Sequence, residues 1–155
     1  MIHYEPLGQI HAEGLFAALS PPETHRYLSQ PDVTTLEALR DRIDRLVHGP
    51  ASWINYVVLV DGVIVGRLEA TRYDDYAEIA YVIGPAYQRR GYGREGVRWL
   101  VDVLATECWA SIHPDNARSI HLVETLGFTR QPTPPARPLS SYEEGDVVLS
   151  RTSRA

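Results

Sequence analysis

Along the first third of the chain the apolar residues fall at helical spacing. A short strand over residues 2–5 comes first, and a helix is expected over 11–19, because Pro21 and Pro22 remove the N–H groups needed to continue it. Leu36, Leu39, Ile43, Leu46 and Val47 then recur on one face of a second helix, which His48, Gly49 and Pro50 end. Asp32, Thr34 or Thr35 would cap its start, since short polar side chains accept from the first free N–H groups.

After Pro50 the spacing changes to that of strands. Residues 53–60 and 63–73 are rich in β-branched and aromatic side chains, and only Asp61-Gly62 separates them. That dipeptide suits a hairpin turn needing positive φ at both central positions. Asp74-Asp75 turns the chain again into 76–83, so an antiparallel meander of three strands is predicted.

Gly84-Pro85 ends the meander, and residues 86–90 form a loop into a helix over 91–106 with Val97, Leu100, Val101 and Leu104 as its apolar stripe. Residues 108–112 form a strand that only a helical crossover can reach. Pro114-Asp115-Asn116 starts a helix that runs to Leu126, with Gly127 as its cap. The stretch 131–138 holds four prolines and reads as a loop, and 145–150 as a last strand. The fold class is α+β (mixed α/β), an antiparallel meander joined to a parallel strand–helix–strand step with helices on both faces. Its 155 residues suit one domain, spanning 1–155.

Composition removes several functions. The net charge of -5 argues against a general nucleic-acid binder. All fifteen basic residues are arginine, so Schiff-base chemistry at a lysine and a Walker-A lysine are impossible. Cys108 stands alone, which excludes a disulfide framework and fits a reducing, cytoplasmic setting; it reads as a small core residue. The histidines show no i, i+4 pair, so no metal site is expected. No apolar run reaches the ~20 residues of a membrane span, and the first residues lack the pattern of a signal peptide.

One loop carries candidate chemistry. Gln88-Arg89-Arg90-Gly91-Tyr92-Gly93 joins a strand end to a helix start, with Arg94 and Arg98 just beyond. The first N–H groups of a helix lack partners and sit at its positive end, and glycine lets a ligand approach the backbone, so the loop suits a phosphate. A plain turn with solvated arginines is the alternative. Gly91, Gly93 and Gly96 also spell the dinucleotide fingerprint, with Asp115 near the place of a ribose-binding acid. Against an NAD-binding oxidoreductase, six residues (85–90) separate strand from glycine, three antiparallel strands come before, and about 60 residues remain for the rest of a doubly wound sheet.

Gln88-x-x-Gly91-x-Gly93 resembles the acyl-CoA pyrophosphate loop of the GNAT superfamily of N-acetyltransferases. Asn116 leading to Gly127-Phe128 resembles that family's later helix, and the element order over roughly residues 50–150 is similar too. Asn116-x-x-Ser119, with Leu15-Phe16 and His25-Arg26-Tyr27-Leu28, looks most like the ribosomal-protein Ala/Ser acetyltransferase-like subgroup.

The resemblance implies acetyl-CoA as acyl donor, held between the splayed ends of strands 76–83 and 108–112. It implies that backbone groups of Val82 and Ile83 pair with the pantetheine arm. The loop of Gln88, Arg89, Arg90, Gly91, Tyr92, Gly93 and Arg94 would cradle the pyrophosphate, and Asn116 would bond the pantetheine region. Asn116 could equally be a helix cap and nothing more.

The acceptor amine arrives as ammonium and needs a proton acceptor. Glu78, in an Ala-Glu-Ile context similar to that of histone-type members, is the first candidate; a cross-strand ion pair is its structural alternative, and Glu69 and a water chain without one dedicated base are the alternatives for the role. The N–H of Val82 would stabilise the oxyanion. Many members protonate the leaving thiolate with a Tyr where this chain has Val123. Ser119, one turn earlier, could take the role, or a small residue is simply needed there; Tyr81, Tyr87 or water are the other donors. The expected activity is direct acetyl transfer to a primary amine of a small molecule, amino acid or protein N-terminus. The alternatives are a non-catalytic acyl-CoA-binding or regulatory domain and, further off, the oxidoreductase. The loop 21–31 and the segment 131–145 would choose the acceptor, and a homodimer through an edge strand is open.

Overall fold

A computed structural model describes residues 1–27 and 34–153. The segment from Leu28 to Pro31 of the acceptor loop, and the candidate cap Asp32, lie outside them. One mixed sheet of seven strands runs in the order β1-β2-β3-β4-β5-β7-β6, from β1 (Ile2–Pro6), β2 (Trp53–Val60), β3 (Val63–Arg72), β4 (Tyr76–Ile83), β5 (Glu107–Ile112), β6 (Thr129–Gln131) and β7 (Val147–Arg151).

The predicted meander is β2-β3-β4. Its first turn has Val60 opposite Val63, with Asp61 at φ 50° and Gly62 at φ 83°, the positive pair an Asp-Gly hairpin requires. β4 and β5 are the parallel step, reached through helix α3 (Tyr92–Leu104). The strand β6 was not anticipated: three residues are too few for any periodic signal, and the strand exists only through its antiparallel pairing with β7.

Helices cover both faces. On one lie α1 (Ala12–Leu19) and α2 (Leu36–Val47), packed through Leu15, Leu39 and Ile43 against Val57. Thr35 is the cap of α2, accepting from the N–H of Ala38 at 3.0 Å. Val47, counted in the apolar stripe, ends the helix 49% exposed and so is not core. On the opposite face α3 and α4 (Ala117–Thr125) bury Val97, Leu100, Ile120 and Val123 against Val58, Leu68 and Ile79. No helix among the described residues is long and apolar enough to cross a membrane.

The step that positions the site is where β4 and β5 part. They pair only at Tyr76–Glu107, Ala77–Cys108 and Glu78–Trp109, whereas β4 stays on β3 as far as Ile83 opposite Gly66. Beyond Glu78 the two parallel strands have no common ladder, so the edge of β4 from Ala80 to Ile83 borders an opening. Backbone groups along such an edge must find partners elsewhere.

Candidate active site

The opening leads into a cleft of about 790 Å³ between the end of β4, the start of α3 and the start of α4. Val82, Ile83, Gln88, Arg89, Gly91, Tyr92, Gly93, Arg94, Asn116 and Ser119, all expected at a cofactor site from the sequence, line this single cleft. Arg90 is the exception. Its side chain is exposed and does not line the cleft, so only its main chain can serve the loop.

The loop is shaped for an anion. Arg89 has φ 66° and Gly91 φ 84°, left-handed values that turn successive N–H groups inward. A left-handed non-glycine residue costs about 1–2 kcal/mol and marks a backbone held in place by its surroundings. The side chain of Gln88 does part of that holding. Its amide donates to the carbonyl of Ile83 at 3.0 Å and accepts from Arg118 at 2.6 Å. Gly93 sits in a tight place: a Cβ there would stand 3.3 Å from the side chains of both Leu122 and Tyr81, which would have to give by a few tenths of an ångström. The four arginines differ. Arg89 and Arg94 line the cleft, Arg94 also bonding Thr125 at 3.2 Å, whereas Arg98 pairs with Glu95 at 3.1 Å and is not part of the lining.

Asn116 caps α4, its Oδ1 accepting from the N–H of Ser119 at 3.3 Å. It also lines the cleft, and the cap occupies its Oδ1, not its Nδ2. Ser119 shares a 2.8 Å hydrogen bond with the hydroxyl of Tyr81. Burial pushes the Tyr81 phenol above its ordinary range, with the Ser119 bond and the charge of Arg118 opposing it, so Tyr81 holds its proton at neutral pH. Val123 is fully buried and has no part in the cleft.

Glu78 is 5% exposed and lies elsewhere, on the opposite face of β4 from Tyr81. It faces a second cavity of about 460 Å³ on the α2 side of the sheet, together with Glu69, Asn55, Trp53, Ser140 and Ser141. The expected cross-strand pair of Glu78 with an arginine does not form, because its neighbour on β3 is Thr71. Instead Oε1 accepts from the Ser140 N–H at 2.9 Å, the Ser140 hydroxyl at 2.9 Å and the Tyr73 hydroxyl at 3.2 Å. Oε2 accepts from the Ser141 N–H at 2.9 Å and from the Ser141 hydroxyl. Of the two arginines on β3, Arg72 donates to the Leu104 carbonyl at 3.1 Å and Arg67, itself buried, lies 3.2 Å from the other acid, Glu69.

Several site residues escaped the sequence reading. Arg118 reaches the loop from the first turn of α4, two positions past Asn116, a spacing that gives no signal without the fold. Arg26 and Tyr27 line the cleft, and the Tyr27 ring lies at a tilt of 38° to that of His113 with centroids 5.4 Å apart; of the motif 25–28, Leu28 lies outside the described residues. The proline-rich stretch is a loop as expected, and it is tied down. Arg137 pairs with Asp75 at 2.8 Å and lies over the Tyr76 ring at 4.8 Å, while Tyr76 donates to the Pro138 carbonyl at 2.8 Å.

The architecture is that of known acetyltransferases. RimL, a ribosomal L7/L12 alpha-N-protein acetyltransferase solved with coenzyme A, superposes with a TM-score of 0.83 at 17% identity, covering 98% of this chain and 94% of that one. The aminoglycoside acetyltransferase AAC(6')-Ib with coenzyme A matches with a TM-score of 0.77 at 18% identity over 98% and 95% of the two chains. A spermidine N-acetyltransferase from Vibrio cholerae, solved with CoA and spermine, matches with a TM-score of 0.75 at 15% identity over 96% and 92%. At these identities the likeness is one of fold. No curated protein matches the chain in sequence. The model of the acetyltransferase (GNAT) domain matches residues 2–129, and the chain belongs to that family.

Proposed function

We propose that this chain transfers an acetyl group from acetyl-CoA to a primary amine. The observation that carries the reading is the parting of β4 and β5 after Glu78, with an anion-shaped loop at the mouth of the opening. Acetyl-CoA supplies a thioester carbonyl and a thiolate leaving group. The chain's residues fit it. The N–H groups from Arg89 to Arg94 suit its pyrophosphate, the free edge at Val82 and Ile83 suits an added strand of pantetheine, and the amide of Asn116 would donate to it.

The N–H of Val82 would hold the oxyanion. Ser119 and Tyr81, hydrogen-bonded to each other, would return a proton to the departing sulfur. The proton acceptor for the amine comes from the cavity on the other face, which holds both carboxylates considered for it, Glu78 and Glu69. Structural neighbours that act on a protein N-terminus, an aminoglycoside and spermidine are in keeping with an amine acceptor. Fold and family argue for a catalyst over a silent CoA-binding module, and the strand order argues against a dinucleotide enzyme.

A thermal-shift titration with acetyl-CoA, CoA and NAD tests the reading. Ligand at a hundred times Kd adds about 2.7 kcal/mol, roughly 5–11 °C for a domain of this size. A rise with the CoA compounds and none with NAD is expected; no rise with acetyl-CoA would overturn it.

A further inference from the structure

We infer that Glu69 is the proton acceptor for the incoming amine, and that Glu78 instead fastens the loop that walls the acceptor cavity. The inference rests on the acetyl-transfer reading and assigns work within the same site.

The first argument is occupancy. A carboxylate offers about four lone-pair sites. Glu78 already accepts from five donors, two of them consecutive backbone N–H groups. No lone pair is left to receive a proton from an ammonium. To act as base Glu78 would have to release Ser140 or Ser141 from a buried site, leaving polar groups unpaired at about 1–3 kcal/mol each. What those bonds do is hold residues 140 and 141 over the cavity that both serines line.

The second argument is position. Glu69 is paired across the sheet with Ala80, and Glu78 with Thr71. The β4–β5 ladder ends at Glu78. Ala80 is the next residue on that face, already inside the opening, and Val82 follows it. Glu69 therefore lies one strand in from the gap, next to Ala80 at the level where the edge of β4 is free, while Glu78 sits where β4 and β5 are still closed.

The third argument is access. The Glu69 side chain is 35% exposed, and Arg67 takes its Oε2 at 3.2 Å. Among the described residues, the charged and titratable groups around Glu69 are Arg67 on its own strand and, across the cavity, Glu78 and Tyr73; β2 adds the neutral Asn55 and α2 the apolar Leu46. Arg67 orients the carboxylate and is a positioning residue. With Leu46, Trp53 and Tyr73 lining the same cavity, the acceptor that fits is a primary ammonium on a largely apolar body.

The step balances as follows. The ammonium gives one proton to Glu69, directly or through water, and the freed lone pair forms the N–C bond to the thioester carbonyl. Collapse of the tetrahedral adduct breaks C–S. The nitrogen loses its second proton, the thiolate gains one from Tyr81 or Ser119, and one proton in total reaches solvent.

The test uses 2-phenylethylamine as probe, on the full chain. It is first titrated calorimetrically into CoA-saturated protein, and kcat and KM for the amine are then measured with acetyl-CoA. Glu69→Gln is expected to lower kcat by about 10²–10³ with little change in KM, and Glu69→Asp to recover part of kcat. Glu78→Gln is expected to act on KM, which rises, and to lower the melting temperature. If Glu78→Gln loses kcat while Glu69→Gln keeps it, the base is Glu78 and the inference is wrong. If the probe does not bind CoA-saturated wild type, the cavity assignment is wrong, and that failure is distinct from loss of acetyl-CoA binding, which would defeat the parent reading.

Discussion

The hydroxyl of Tyr81, on β4, lies 2.8 Å from the hydroxyl of Ser119, on α4. β4 and α4 share one core cluster, with Ile79 and Ile120 in it, and they also meet at the wall of the cleft. On α4 the position at which the resembled family carries a tyrosine is the buried Val123, and the phenol that lines the cleft stands on the strand.

Tyr81→Phe is therefore expected to slow turnover by roughly tenfold to a hundredfold, the lower end of acid catalysis, because a thiolate is a good leaving group. Ser119→Ala costs less, and the double variant costs no more than Tyr81→Phe alone, since the two act as one unit. Steady-state kcat for the four proteins checks this; fully additive losses would separate the two groups.

Gly91 has φ 84° and open space around a would-be Cβ. Gly91→Ala meets no clash, so its cost is backbone strain alone, about 1–2 kcal/mol. The loop relaxes instead of the protein unfolding, and acetyl-CoA binds roughly tenfold more weakly with little change in melting temperature. Calorimetric titration and a melt measure both quantities.

Replacing both Ser140 and Ser141 with Ala removes two hydroxyl donors from Glu78 and leaves the two backbone N–H bonds. A loss of about 1–3 kcal/mol is expected, read as a lowered urea midpoint. Its acceptor KM rises while acetyl-CoA affinity holds, because the loop borders the acceptor cavity and not the cleft.

Burial pushes the Cys108 thiol up from 9.0 to about 11, against the opposing charges of Arg151 and Arg72. The folded protein keeps this proton more tightly than the unfolded chain does. The stability it contributes is complete below pH 9 and is lost as the pH climbs through 11. A shift of this size is worth about 2–3 kcal/mol. Urea midpoints at pH 8 and pH 10.5 should fall more steeply for wild type than for Cys108→Ala, and the native thiol should react slowly with disulfide reagents at pH 8.

Local chemistry made part of this molecule legible in its sequence. Asp61-Gly62 announces its turn because few other dipeptides accept positive φ twice, and the spacing of Gln88, Gly91 and Gly93 announces a loop over a helix start. Thr35 and Asn116 cap helices because short polar side chains leave the backbone little choice. What stayed hidden depends on contacts between distant residues. The five donors to Glu78 include Ser140 and Ser141, 62 and 63 residues away, in a proline-rich stretch with no periodicity. The parting of β4 from β5 after Glu78 is a property of strand pairing; Glu69 and Glu78 look alike in sequence. The strand β6 exists only because β7 is there to pair with it.

The most direct test of acetyl transfer is to mix the protein with acetyl-CoA and 2-phenylethylamine and follow free CoA thiol alongside the mass of the amine. The account predicts amine-dependent thiol release matched one to one by N-acetyl product, and no such release with the tertiary N,N-dimethyl amine. Equal thiol release with and without the primary amine, or release with no acetylated product, would contradict it.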